Sequence, residues 1–169
     1  DISNPLIIQS DFSLLLEVYN SKFEEVRNEL TKFAELVKSP EHIHTYRVTS
    51  LSLWNAASSG VNVKDIIDFL YKYSKFEVPQ NVIQEITLIF NKFGVVELLK
   101  YDKDPNKLIL NIKNPEIELE ILSNPKLKRF LTQKISDGKY LIPLLSRGEL
   151  KVAFFNYNIP VYDIAGYTE

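Results

Sequence analysis

Residues 39–56 read SPEHIHTYRVTSLSLWNA, and within them the periodicity of the chain changes. Ile43, Thr45, Arg47 and Thr49 alternate with His44, Tyr46 and Val48, the period-two, β-branched pattern of a strand. Thr49 or Ser50 then offers an N-cap hydroxyl, and Leu51, Trp54 and Ala57 fall on one helical face. Gly60 stands where a left-handed C-terminal residue is wanted. The stretch predicts a strand running straight into a short helix, with the single tryptophan buried between the two.

Toward the amino terminus, residues 6–9 (LIIQ) and 14–18 (LLLEV) predict a hairpin closed by Ser10-Asp11-Phe12-Ser13. Ser21 and Glu24 have capping-box spacing. Phe23, Val26, Leu30, Phe33, Ala34 and Val37 follow at helical spacing, predicting a helix stopped near Ser39-Pro40.

Toward the carboxyl terminus, Asn62 and Asp65 open a helix whose apolar face is Val63, Ile66, Ile67, Leu70 and Tyr71. Val78-Pro79 starts another, carrying Val82, Ile83, Ile86, Ile89, Phe90 and Phe93 up to Gly94. Residues 95–101 and 107–112 predict a second hairpin across Asp102-Lys103-Asp104-Pro105-Asn106. A strand, three helices and a hairpin predict a winged-helix-like unit preceded by a hairpin and helix. The first domain is therefore placed at residues 1–113 of an α+β chain.

Residues 114–169 are read as a second, small α/β domain. Asn114-Pro115 and Asn124-Pro125 each place a capping side chain before a first-turn proline. Residues 140–144 predict a strand, and Ser146 with Glu149 a capping box before Leu150, Ala153, Phe154 and Tyr157. Residues 159–162 predict a closing strand that tolerates Pro160 only near its start or on an edge.

Apolar residues make up 45% of the 169, enough for one sizeable core or two small ones. A formal charge of −2 argues against a polyanion or membrane partner held by bulk electrostatics, so any nucleic-acid contact must be a local patch. Residues 1–46 hold 4 basic and 8 acidic side chains, which makes the amino-terminal end the acidic one. The absence of cysteine excludes disulfides, thiolate metal sites and cysteine nucleophiles. With no apolar run of about 18 residues, a cytoplasmic chain is expected. A first residue that is not methionine is read as a trimmed start, with the parent expected to continue past Glu169.

His42 and His44 share one strand face, but two imidazoles without a third ligand are read as structural. Glu116, Glu118 and Glu120 are read as a solvated face rather than a cation site. Gly138-Lys139 lacks the flanking residues of a phosphate-binding loop, so neither a metal nor a nucleotide cofactor is expected in this stretch, and no catalytic residue is assigned. The third helix carries Gln80, Asn81, Gln84 and Asn91, a nearly neutral surface suited to a protein partner rather than to DNA reading. Lys126, Lys128, Arg129, Lys134 and Lys139, with only Asp137 among them, form the one local basic concentration. These are the candidate DNA-backbone contacts.

The runs NPLIIQSD (4–11), LLLEV (14–18), FAELVKSPEHIHTYRVTSLSLWNA (33–56), YSKFEVPQNV (73–82) and IAGY (164–167) resemble the amino-terminal region of bacterial helicases related to the xeroderma pigmentosum group B repair helicase. The resemblance implies an accessory module in cis to two RecA-like motor lobes. Those lobes would bind ATP and magnesium and move 3′ to 5′ on DNA. Residues 114–169 would occupy the place of a damage-recognition domain, and partner docking and weak DNA guidance are the implied roles. The rivals are an autonomous winged-helix DNA-binding protein and, resting only on His42 and His44, a small metal-dependent enzyme.

Overall fold

A computed structural model describes residues 1–166, and the chain divides into two compact units, residues 1–90 and 91–169. The first unit is built on an antiparallel sheet in the order β1-β2-β4-β3, formed by Leu6–Ile8, Ser13–Glu17, Ile43–Arg47 and Glu35–Lys38. The predicted first hairpin is present, with Leu6 opposite Leu16 and Ile8 opposite Leu14. The strand at the centre of the opening stretch, β4, lies between β2 and β3 and pairs Tyr46 with Leu14. Alternation along β2 sends Leu14 and Leu16 inward, where they meet Tyr46, Val26, Leu30, Leu53, Leu70, Val82 and Ile86 in one core.

Four helices belong to this unit: α1 (Phe23–Leu30), α2 (Ser50–Ser58), α3 (Val63–Tyr73) and α4 (Gln80–Asn91). Thr49 caps α2 by a reciprocal box with Ser52, and Asn62 caps α3 by accepting from the Lys64 N–H. Gly60 (φ +87°) and Gly94 (φ +81°) take the left-handed conformation expected of them.

Helix α1 is shorter than predicted. It ends at Leu30, and residues 35–38 form the edge strand β3, because the backbone ladder to Arg47 and Tyr46 outweighs the local helical periodicity of Phe33, Ala34 and Val37. The Ser21–Glu24 box is not made; the cap residue is Lys22, whose N–H donates to Asn20 Oδ1. In α2 the buried face is Ser52, Leu53, Trp54 and Ala56, and Leu51 is exposed. Trp54 is buried, but the partner its indole N–H finds is the Ile89 carbonyl of α4, at 2.9 Å, rather than the strand.

The second unit has a five-stranded sheet in the order β7-β8-β6-β5-β9: Gln133–Ser136, Lys139–Pro143, Lys107–Ile112, Val96–Lys100 and Val161–Asp163. Every ladder is antiparallel except β5–β9. Leu108, Leu110 and Ile112 alternate inward from the central strand β6. They pack with Ile121 of α5 (Pro115–Leu122), Leu127 of α6 (Pro125–Lys128) and Leu150 and Phe154 of α7 (Arg147–Asn156). Asn114 and Asn124 cap α5 and α6 as their Asn-Pro pairs predict.

Three expectations are corrected here. The hairpin β5–β6, read as the wing of a winged-helix-like domain, is the middle of this sheet, because β6 pairs with β8 and β5 with β9. The division accordingly falls at residues 90/91 rather than 113/114. Ser146 does not cap α7: the chain enters that helix from a 3-10 turn, Leu144–Ser146, so Ser146 is already helical and its hydroxyl makes no cap bond. Strand β7, unpredicted, hairpins with β8 across Gly138. The closing strand β9 lies at the sheet edge just after Pro160, and Tyr167 of the IAGY run lies outside the described residues.

Candidate functional site

The five basic residues all lie in the second unit. Leu127 and Phe130 are buried, which pins α6 to the core and leaves Lys126, Lys128 and Arg129 exposed. Lys134 lies on β7 and Lys139 begins β8. Between those strands Gly138 is buried at φ +73°, and a Cβ there would stand 2.4 Å from the Ile112 carbonyl oxygen, so only glycine fits this turn. Its own carbonyl accepts from the Ile112 N–H at 2.7 Å.

The five are not electrostatically equivalent. Arg129 Nη2 donates to Glu149 Oε1 at 2.7 Å, and its guanidinium lies 4.1 Å from the centre of the Phe130 ring. Glu149, read from sequence as a helix cap, instead neutralises this arginine. Lys134 stands 4.0 Å from Asp137. Lys126, Lys128 and Lys139 pair with no carboxylate among the described residues and are the cations left for phosphate.

On α4, Asn81, Gln84, Leu88 and Asn91 recur at helical spacing and are all exposed. Asn81 Nδ2 donates to the Ser10 carbonyl at 3.0 Å, and Gln80 Nε2 to the Tyr71 hydroxyl at 2.9 Å. Two of the four polar residues read as a partner surface therefore also brace their own unit. Leu88, 61% exposed, has no polar side chain to mark it and sits in the apolar run Leu88-Ile89-Phe90, so nothing in the sequence signals its exposure.

The histidines pack against rings: His42 beside Tyr19 at 5.4 Å and His44 edge-on to Phe23 at 5.3 Å. No group of three metal-ligating side chains comes together among the described residues. Because α5 is a helix, Glu116, Glu118 and Glu120 do not line one face as alternation implied. Glu118 turns to accept a hydrogen bond from the Tyr140 hydroxyl at 3.2 Å. Burial first, and then that carboxylate, push the Tyr140 phenol above its ordinary value.

Sequence reasoning gave no role to the most deeply set ion pair of the second unit. Arg147 Nε and Nη2 donate to the two Asp163 oxygens at 2.6 and 2.7 Å, Nη2 also donates to the Gly166 carbonyl, and Lys151 Nζ reaches Asp163 at 3.0 Å. The Arg147 and Asp163 side chains are 8% and 9% exposed. Burial raises the Asp163 carboxyl, but hydrogen bonds from Arg147 and Lys151, the Lys151 charge and the Ala165 N–H outweigh it and hold the group at about 2. The pair ties the end of the described chain to α7.

These features define a two-unit α+β protein with exposed lysines on one unit and a neutral helix stripe on the other. No helix among the described residues is long and apolar enough to cross a membrane. Residues 6–136 match the family described as helicase conserved C-terminal domain, and the chain belongs to that family. It is 34% identical over 165 residues, 98% of its length, to the protein named DNA 3′-5′ helicase XPB from Kineococcus radiotolerans, and equally to the protein of that name from Mycobacterium tuberculosis. It spans 29% and 30% of the lengths of those two relatives. A Drosophila melanogaster protein named general transcription and DNA repair factor IIH helicase/translocase subunit XPB is 30% identical over 75% of the chain, covering 16% of that relative. The family description is of a helicase C-terminal domain, not the amino-terminal accessory region that the resemblance implied.

Proposed function

We propose that this chain is a non-catalytic module of an ATP-dependent DNA helicase polypeptide, working in cis with the motor. The carrying observation is its membership of a helicase family together with sheets whose ladders are antiparallel but for one edge pair. A phosphate-loop nucleotide site needs a glycine-rich loop between a strand and a helix of a parallel α/β sheet; the sequence has no such loop, and neither sheet of the described residues is of that kind. Its relatives' names support DNA as the substrate of the parent and repair as its setting.

In this reading the second unit guides DNA through Lys126, Lys128 and Lys139, with Arg129 and Lys134 contributing less because carboxylates already hold them. The α4 stripe of Asn81, Gln84, Leu88 and Asn91 serves a protein partner. Fluorescence anisotropy with labelled single-stranded and forked DNA tests it. Weak, sequence-tolerant binding that falls steeply with salt is expected. Lys126→Glu with Lys128→Glu should abolish that binding, and Gln84→Ala should leave it intact. Binding that survives the reversal, or no binding at low salt, refutes the guiding role.

A further inference from the structure

Within the first unit, helices α1 and α3 flank an open groove of about 520 Å³. From α1 come Glu25 and Glu29, four residues apart and so on one stripe; from α3 come Asp65, Asp68 and Lys72, related in the same way. Val26 and Leu30 on the first helix, and Ile66 and Leu70 on the second, are buried in the core, which fixes how each helix is rotated. Phe69 and Tyr73, with ring centres 5.2 Å apart, add aromatic surface to the groove. The Tyr73 hydroxyl donates to Glu25 Oε2 at 3.1 Å and ties the two helices together.

Four carboxylates against one ammonium leave this lining at a net −3. Glu25 and Asp65 stand in first turns, where the helix dipole favours an acid, but Asp68 does not, and Glu29 lies in a last turn, where the dipole favours a base. Glu25 with Glu29 and Asp65 with Asp68 are also like-charge neighbours, so helix stability does not explain the pattern. Glu29 is paired with Lys32 at 2.8 Å, and the Lys72 ammonium lies over the Tyr73 ring, 5.1 Å from its centre. Asp65 and Asp68 form no ion pair among the described residues.

The spread of these groups selects the ligand. No three of the carboxylates gather closely enough to hold one metal ion, and a phosphate backbone would be repelled. Cations distributed along a polypeptide meet the charge on both walls at once. Guanidinium groups suit it best, since they pair carboxylates through a planar fork and stack on aromatic rings. We propose that the α1–α3 groove docks an arginine-rich segment of a partner protein. The inference rests neither on the α4 stripe nor on the lysines of the second unit.

Titrating the chain with a nonaarginine peptide and following backbone amides by NMR tests it. Saturable shifts confined to residues 25–29 and 65–73 are expected, weakening as sodium chloride rises, with nonalysine binding less tightly. Asp65→Asn with Asp68→Asn, both at exposed positions, should weaken nonaarginine about tenfold. Glu116→Gln with Glu120→Gln removes the same charge from the second unit and should leave the affinity unchanged. Asp68→Asn alone serves if the double variant loses its dispersed spectrum. Shifts scattered over other acidic surface, equal weakening by the two double variants, nonalysine matching nonaarginine, or no saturation at low salt would each overturn the proposal. So would magnesium chloride saturating the same amides at equal ionic strength to a sodium chloride control, since the groove would then be a metal site.

Discussion

Replacing Asp163 by asparagine isolates the ion pair that fastens the chain end to α7. The substitution keeps the size of the side chain and removes its charge, taking from the buried Arg147 guanidinium the carboxylate it meets through two nitrogens. Breaking a buried pair from one side costs about 3–5 kcal/mol. Part of this must titrate. The Asp163 carboxyl is held at about 2 in the fold against an ordinary value of 3.8, and at about 1.4 kcal/mol per unit that difference contributes roughly 2 kcal/mol. Because the folded value is the depressed one, the contribution is complete above the unfolded value, from about pH 5 upward, and is lost as pH falls toward 2.

The expected difference between wild type and Asp163→Asn is therefore about 3 kcal/mol at pH 7, shrinking to about 1 kcal/mol at pH 2. Urea unfolding read from NMR peaks of β6 measures it in the correct unit, since tryptophan fluorescence would report only on the first. A difference that stays constant from pH 7 to pH 2, or one below about 1 kcal/mol at pH 7, would refute the reasoning.

In the first unit, Trp54→Ala should cost about 3–5 kcal/mol in urea unfolding, whereas Trp54→Phe should cost about 1–2 kcal/mol, chiefly from the Ile89 carbonyl left without its donor. A loss below about 1 kcal/mol for alanine would mean that the indole is not part of the core. Gly138→Ala should destabilise the second unit by about 3 kcal/mol, combining a positive φ with a clash against backbone. Gly60→Ala is its control: the φ is also positive but nothing lies within 4 Å of the added Cβ, so about 1–2 kcal/mol is expected, and equal losses at the two sites would discount the Ile112 contact.

What the sequence determined by itself was local. Thr49 with Ser52, Asn62, Asn114 and Asn124 each satisfy a helix N-terminus within three residues, and the Leu6–Ile8/Ser13–Glu17 and Val96–Lys100/Lys107–Ile112 hairpins close across short turns. Such contacts depend on neighbours in the chain, so their chemistry is visible in a short window. The candidate lysines were legible for the same reason, being close together in sequence. Only the tertiary structure decided which of them meet a carboxylate, because Glu149 reaches Arg129 from another helix. It also turned Glu35–Lys38 into a strand and gave the β5–β6 hairpin to the second unit. In both cases a ladder to residues distant in sequence satisfied backbone groups that local periodicity had assigned elsewhere.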